Sequence, residues 1–282
     1  MRKLWMIVAL LLPVAALAQQ VEYAYGSDPA QKLDLSLPAA KGFATVVFVH
    51  GGSLESGDKT DSDYGKVCEP FPAAGLGCAN VNYRLAPAPW PAQAEDVAAA
   101  IAWVRSHIAA HGGDPGKIFL LGHSSGALLV ALVGSDARYL ARHGRKLSDL
   151  RGVIPMGSIM RDDDLDQAVA ARGRDYVAAH FLDDPSNRLY GSFQAYQEHW
   201  PVRHVHPGLP PFLFLIAESE QVNPPVLKTD REFVEEARKL GNQADYKVLA
   251  GRKHYTAIRQ LQQPGDAVFA IILEFVRRHS AP

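Results

Sequence analysis

The chain has 282 residues, of which 48% are hydrophobic, 21% charged and 9% aromatic, a balance that excludes disordered and collagen-like classes and is ample for a buried core. Lysine and arginine number 29 against 30 aspartate and glutamate, for a formal net charge of -1. Without a positive excess to displace counterions from phosphates, no nucleic-acid partner is expected. The longest apolar run, residues 4–17, is shorter than the roughly 20 residues of a typical spanning helix, so no integral membrane segment is expected.

That run reads instead as export machinery. Arg2 and Lys3 form a positive leader, residues 4–17 an apolar centre and Ala16-Leu17-Ala18 a small-x-small cleavage site, the arrangement of a secretory signal peptide. Pro13 argues against a continuous buried helix. Cleavage after Ala18 leaves residues 19–282, which are 264 residues with a formal charge of -3, periplasmic or secreted. An oxidising compartment permits a disulfide, and Cys68 and Cys78 are the two cysteines. Cys68 falls in a predicted helix and Cys78 in the next strand. A bridge requires their Cα atoms within roughly 7 Å, which spacing alone leaves open.

Beyond the leader, residues 21–25 and 32–37 read as two strands joined by the Asp28-Pro29 turn. Leu33, Leu35 and Leu37 alternate with polar residues, as in a half-exposed antiparallel edge. Residues 45–49 form a continuous apolar run, the pattern of a strand covered on both faces. Similar runs follow at 76–82, 117–121, 152–156, 212–217 and 246–249. Helical segments separate them: 92–110, alanine-rich after Pro91, then 124–133, 226–240 and 266–279, where Val268, Ile271, Ile272, Phe275 and Val276 recur at helical spacing. Roughly eight strands with crossover helices predict one α/β domain with a mostly parallel sheet. Residues 158–210 contain no clear strand but carry Tyr176, Phe181, Tyr190, Phe193, Tyr196 and Trp200, as a cap-like insertion over a site would. Arg161-Asp162-Asp163-Asp164 within it reads as a solvated loop or helix start.

The chemistry concentrates in Leu120-Leu121-Gly122-His123-Ser124-Ser125-Gly126-Ala127, a G-x-S-x-G turn between a buried strand and a helix. Such a turn projects the serine hydroxyl above the sheet and leaves helix N–H groups beside it. His50-Gly51-Gly52 follows an earlier strand, so the backbone N–H groups of Gly51 and Gly52, with that of Ser125, are candidates for an oxyanion hole. A serine nucleophile needs a base and an orienting carboxylate, in chain order serine, acid, histidine. Of eleven histidines, His254 lies on the loop after the last predicted strand and is the candidate base. Glu218 and Glu220 both follow the strand at 212–217. Glu220 is favoured because it sits further out on the loop, with Glu218 the alternative acid and Asp230 a third. No cysteine or histidine spacing marks a metal site, and no cofactor motif is present.

Together these residues resemble the α/β-hydrolase superfamily, in the esterase branch that includes hormone-sensitive-lipase-like and kynurenine-formamidase-like enzymes. The similarity extends to Asn82-Tyr83-Arg84-Leu85-Ala86-Pro87, Trp90-Pro91-Ala92 and Asp96, and it runs from about Tyr25 to the C-terminal helix. The resemblance places the acid at Glu220 and the base at His254, and implies an Arg84 ion pair with Asp96. It implies acyl transfer to water through Ser124, acting on a small-molecule carboxylic ester without a cofactor. The family has a third glycine or an aromatic pair after H-G-G, whereas this chain has Ser53-Leu54. Hydrolysis of an N-formyl arylamide, or a hydrolase fold kept for binding alone, are the alternatives. Acyl length and oligomeric state are not legible.

Overall fold

The computed structural model describes residues 21–222, 225–263 and 265–280. The expected signal peptide at 1–18 lies outside them.

The strands in chain order are β1 (Val21–Ala24), β2 (Lys32–Ser36), β3 (Phe43–Val49), β4 (Gly77–Val81), β5 (Gly113–His123), β6 (Leu150–Met156), β7 (Phe212–Ala217) and β8 (Ala244–Leu249). They form one sheet ordered β1-β2-β4-β3-β5-β6-β7-β8. The β1–β2 and β2–β4 pairs are antiparallel, and every later pair is parallel. The helices are α1 (Pro70–Ala73), α2 (Ala92–His107), α3 (Ser125–Ser135), α4 (Ala137–Ala141), α5 (Asp163–Arg172), α6 (Arg174–His180), α7 (Phe193–Glu198), α8 (Val226–Lys239), α9 (His254–Leu261) and α10 (Ala267–Ser280).

Strand alternation divides the core between the two faces. Val47, Val49, Ala79, Val81 and Leu120 pack with Val97, Ile101, Leu129 and Phe233 from α2, α3 and α8. Val46, Phe48, Cys78, Phe119 and Leu121 pack with Phe71, Ile258, Ile272 and Val276 from α1, α9 and α10. Both faces are dry, which explains why the central strands read as unbroken apolar runs. The chain leaves β3 for β4 on one side and β5 on the other. Ligand crevices of open α/β sheets form at such a reversal, beyond the carboxyl ends of the strands; here those ends carry His50 and Ser124.

Several boundaries move from the sequence reading. The strand expected at 117–121 extends back to Gly113, because Phe43 of β3 pairs with Gly113 across a register shift. The helix expected at 92–110 ends at His107 and continues as a 3₁₀ turn over Ile108–His111, closed by Gly112 at φ 91. The edge hairpin is less exposed than its alternation implies. Asp34 is 5% exposed because Lys59, from the loop after β3, folds over it with Nζ 2.7 Å from Asp34 Oδ2 and 3.0 Å from Glu22 Oε2. Cys68 lies in the turns just before α1 rather than in a helix. It is bonded to Cys78 of β4, with the Cα atoms 5.4 Å apart.

Residues 158–210 carry α5, α6, α7 and short 3₁₀ turns, with no strand among the described residues. Asp162 caps α5, its side chain accepting from the Leu165 N–H at 3.0 Å, so the acidic run is a helix start. The aromatics there pack on one another and on Trp90: Tyr190 lies 5.7 Å from Trp90, 4.8 Å from Tyr196 and 4.6 Å from His199. His199 is 1% exposed, and burial pushes its pKa down to about 3.

Candidate active site

Ser124 sits between β5 and α3 at φ 55, ψ -128, a conformation that L-residues seldom adopt. The neighbouring glycines allow it. A Cβ on Gly122 would lie 2.2 Å from the Gly126 carbonyl oxygen, and one on Gly126 would lie 2.2 Å from that of Val49. The turn is held from β6 as well, the Ser124 N–H donating to the Met156 carbonyl at 2.9 Å. The helix that the sequence started at residue 124 therefore begins at Ser125, and Ser124 stands at its cap with the positive end of the helix beneath it.

Glu220 and His254 are brought together: the Glu220 carboxylate accepts from His254 Nδ1 through Oε1. Oε2 accepts from the Ala217 N–H at 2.9 Å. Glu220 is 2% exposed, buried by the 3₁₀ turn Glu218–Glu220 that ends β7. Glu218 faces away and accepts from the Gly251 N–H at 2.9 Å. It ties the acid loop to the base loop, as does the Ser219 N–H bonded to the Arg252 carbonyl at 3.3 Å. His254 opens α9, its side chain 30% exposed and so open to solvent on one side.

Asp230 is not at the imidazole. It lies on α8, 1% exposed, and its Oδ1 has no hydrogen-bond partner among the described residues. Burial, and then the charge of Glu220, hold its carboxyl well above the usual range.

The H-G-G turn is anchored from below. His50 is fully buried, its Nδ1 donates to the Gly51 carbonyl at 2.8 Å, and its ring stacks on Tyr83 at 4.6 Å. Tyr83 donates its hydroxyl to the His50 carbonyl at 3.0 Å, while burial raises its pKa. Asn82 accepts from the Lys59 N–H at 2.6 Å and donates to Asp58 Oδ2 at 2.6 Å. Arg84 forms the expected pair with Asp96: Nε to Oδ2 at 2.8 Å and Nη2 to Oδ1 at 2.5 Å. The Asn82-Tyr83-Arg84 segment is thus a support for the loop after β3. Gly52 and Ser53 both take positive φ, 127 and 57, and turn the backbone beside Ser124.

Residues that the sequence reading did not single out complete the surroundings. Gly157 follows β6 at φ 71, and a Cβ there would lie 2.9 Å from Glu220 Oε1 and 3.2 Å from His254 Nδ1. Its place at the carboxyl end of a central strand was the available signal. Tyr64 lies on the loop after β3, and burial pushes its phenol up to about 12 against the opposing effect of the Gly51 N–H. His123, the variable residue of G-x-S-x-G, is buried between Tyr64 and His254. Among the described residues, no cluster of three or more His, Cys, Asp or Glu could hold a metal ion, and no helix is long and apolar enough to cross a membrane.

Comparison with known proteins supplies the family. The chain is 30% identical over 260 residues to the esterase LipC of Mycobacterium tuberculosis, covering 88% of this chain and 62% of that protein. It is 27% identical over 207 residues to the probable carboxylic ester hydrolase LipM of the same organism, covering 72% and 47%. It thus spans about half to three fifths of the length of these relatives. Among solved structures, a truncated carbohydrate esterase from gut microbiota superposes with a TM-score of 0.71 at 19% identity, covering 95% of this chain and 99% of that one; this similarity establishes the fold. Residues 33–227 match the family model BD-FAE. The chain therefore belongs to the BD-FAE family, with an α/β-hydrolase fold.

Proposed function

We propose that this protein is an exported carboxylesterase-type serine hydrolase that cleaves small-molecule esters through Ser124, His254 and Glu220. The carrying observation is the Glu220–His254 pair at the carboxyl ends of the same sheet that holds Ser124 in a strained turn. Two similar proteins are named as esterases or ester hydrolases. In the proposed cycle His254 takes the Ser124 proton as Oγ attacks the ester carbonyl, and Glu220 holds the imidazole in the tautomer with Nδ1 protonated. The Gly51, Gly52 and Ser125 N–H groups meet the oxyanion. His254 then protonates the leaving alcohol, and water repeats the sequence on the acyl-enzyme. The insertion at 158–210 caps the crevice in this reading.

Initial rates on a short aryl acetate test the assignment. Ser124→Ala is expected to abolish turnover with little change in Tm. Glu220→Gln is expected to be far more damaging than Glu218→Gln, and the reverse order would move the acid to Glu218. Export is tested by N-terminal sequencing of the protein from a periplasmic fraction: a start at Gln19 supports it, and an intact Met1 contradicts it.

A further inference from the structure

His123 precedes the proposed nucleophile, is fully buried, and has both ring nitrogens engaged. Its Nε2 lies 3.0 Å from the main-chain carbonyl oxygen of His254, and its Nδ1 lies 3.1 Å from the Tyr64 hydroxyl. A carbonyl can only accept, so Nε2 carries the proton. In a neutral ring Nδ1 is then bare and accepts from the Tyr64 O–H. Burial, and then repulsion from His254, push the His123 pKa down to about 3. The two imidazoles are 4.5 Å apart, and His123 stays uncharged when His254 takes its proton.

Tyr64 leads back to the other half of the site. It is 4% exposed, its hydroxyl oxygen lies so close to the Gly51 backbone that a Cβ there would be 2.7 Å from it, and its carbonyl accepts from Asn80 Nδ2 of β4 at 3.1 Å. A continuous path therefore runs from the H-G-G turn through Tyr64 and His123 to the backbone of His254. Glu220 orients the His254 ring at Nδ1, but a ring also moves with its main chain. The carbonyl bond restrains that second freedom.

We propose that His123 and Tyr64 are positioning residues, which clamp the His254 main chain against the Gly51 turn and so fix the base relative to the oxyanion donors. This rests on the serine-hydrolase reading above. Misplacing a catalytic group by about 1 Å costs about 100-fold in rate, so the clamp acts on kcat and leaves substrate binding alone.

Three variants separate positioning from packing. His123→Gln keeps an amide N–H near the place of Nε2–H, His123→Leu removes it, and Tyr64→Phe removes the hydroxyl that donates to Nδ1. On an aryl acetate, His123→Leu and Tyr64→Phe are expected to lower kcat by about 10- to 100-fold with KM changed by less than about twofold, and His123→Gln to recover most of the loss. Fluorophosphonate inactivation rates are expected to fall in the same order. Wild-type kcat in Tyr64→Phe, or a His123→Gln as impaired as His123→Leu, would overturn the proposal. If His123→Leu does not fold, a Tyr64→Phe that folds with undiminished kcat still overturns it. An unreactive wild type would remove the hydrolase reading itself, an outcome distinct from a reactive wild type with unaffected variants.

Discussion

Acidification from about pH 7 to about pH 5 perturbs two buried histidines that the fold keeps neutral. His123 and His199 both have folded pKa values pushed down to about 3 by burial, against about 6.5 in an unfolded chain. Below about pH 6.5 the unfolded state takes up a proton at each position and the folded state does not, so the stabilisation is complete above that pH and is lost as pH falls toward the folded value. At about pH 5 the unfolded residue sits about 1.5 units below its pKa, worth about 2 kcal/mol per histidine and about 4 kcal/mol for the pair. His50, also lowered by burial, adds in the same direction. Urea unfolding at the two pH values measures the loss. His199→Asn keeps an amide N–H near Nδ1, which donates to the Tyr196 carbonyl, but cannot titrate, and its loss between the two pH values is expected to be about 2 kcal/mol smaller than that of wild type. A variant with the wild-type pH dependence, or a wild type equally stable at both, would refute the argument.

Other sites give predictions of different kinds. Replacing Cys68 and Cys78 by serine opens a cross-link of sequence separation 10, for which loop-closure entropy gives a loss of about 3 kcal/mol in unfolding free energy. Gly157→Ala forces a Cβ to 2.9 Å from Glu220 Oε1 at φ 71; a loss of kcat of at least about tenfold is expected with the fold retained, at about 1–2 kcal/mol of backbone strain. Asp230 keeps its proton in the folded state well above its ordinary range, so its burial lowers stability progressively as pH rises past about 4. Asp230→Asn is expected to raise Tm at neutral pH, with the advantage vanishing near about pH 3, as thermal melts at both values would show.

The elements most legible in the sequence were those whose environment leaves a single pattern. β3 and β7 are covered on both faces, and their apolar runs announce that. The G-x-S-x-G segment located Ser124 because close backbone approach to Val49 and Gly126 requires glycines at fixed offsets. Loop position favoured Glu220 and kept Glu218 as the alternative, since it is a short 3₁₀ turn that decides which carboxylate points inward. Tyr64 and His123 stayed hidden for another reason: their roles come from contacts across 59 and 131 residues of chain, which leave no periodic trace. Within the expected cap-like insertion, Tyr190, Tyr196 and Trp200 spend their faces on one another and on His199. β5 was underestimated because Gly113-Asp114-Pro115-Gly116 reads as a turn, whereas pairing of Gly113 with Phe43 keeps it in the sheet.

The most direct test of the central claim is chemical capture of the nucleophile. Wild-type protein treated with an alkyl fluorophosphonate and digested for mass spectrometry is expected to carry one adduct, on the peptide containing Ser124. Labelling is expected to disappear in Ser124→Ala and to slow markedly in His254→Ala. An unmodified wild type, or an adduct that persists in Ser124→Ala, would contradict the assignment of Ser124 as an activated nucleophile.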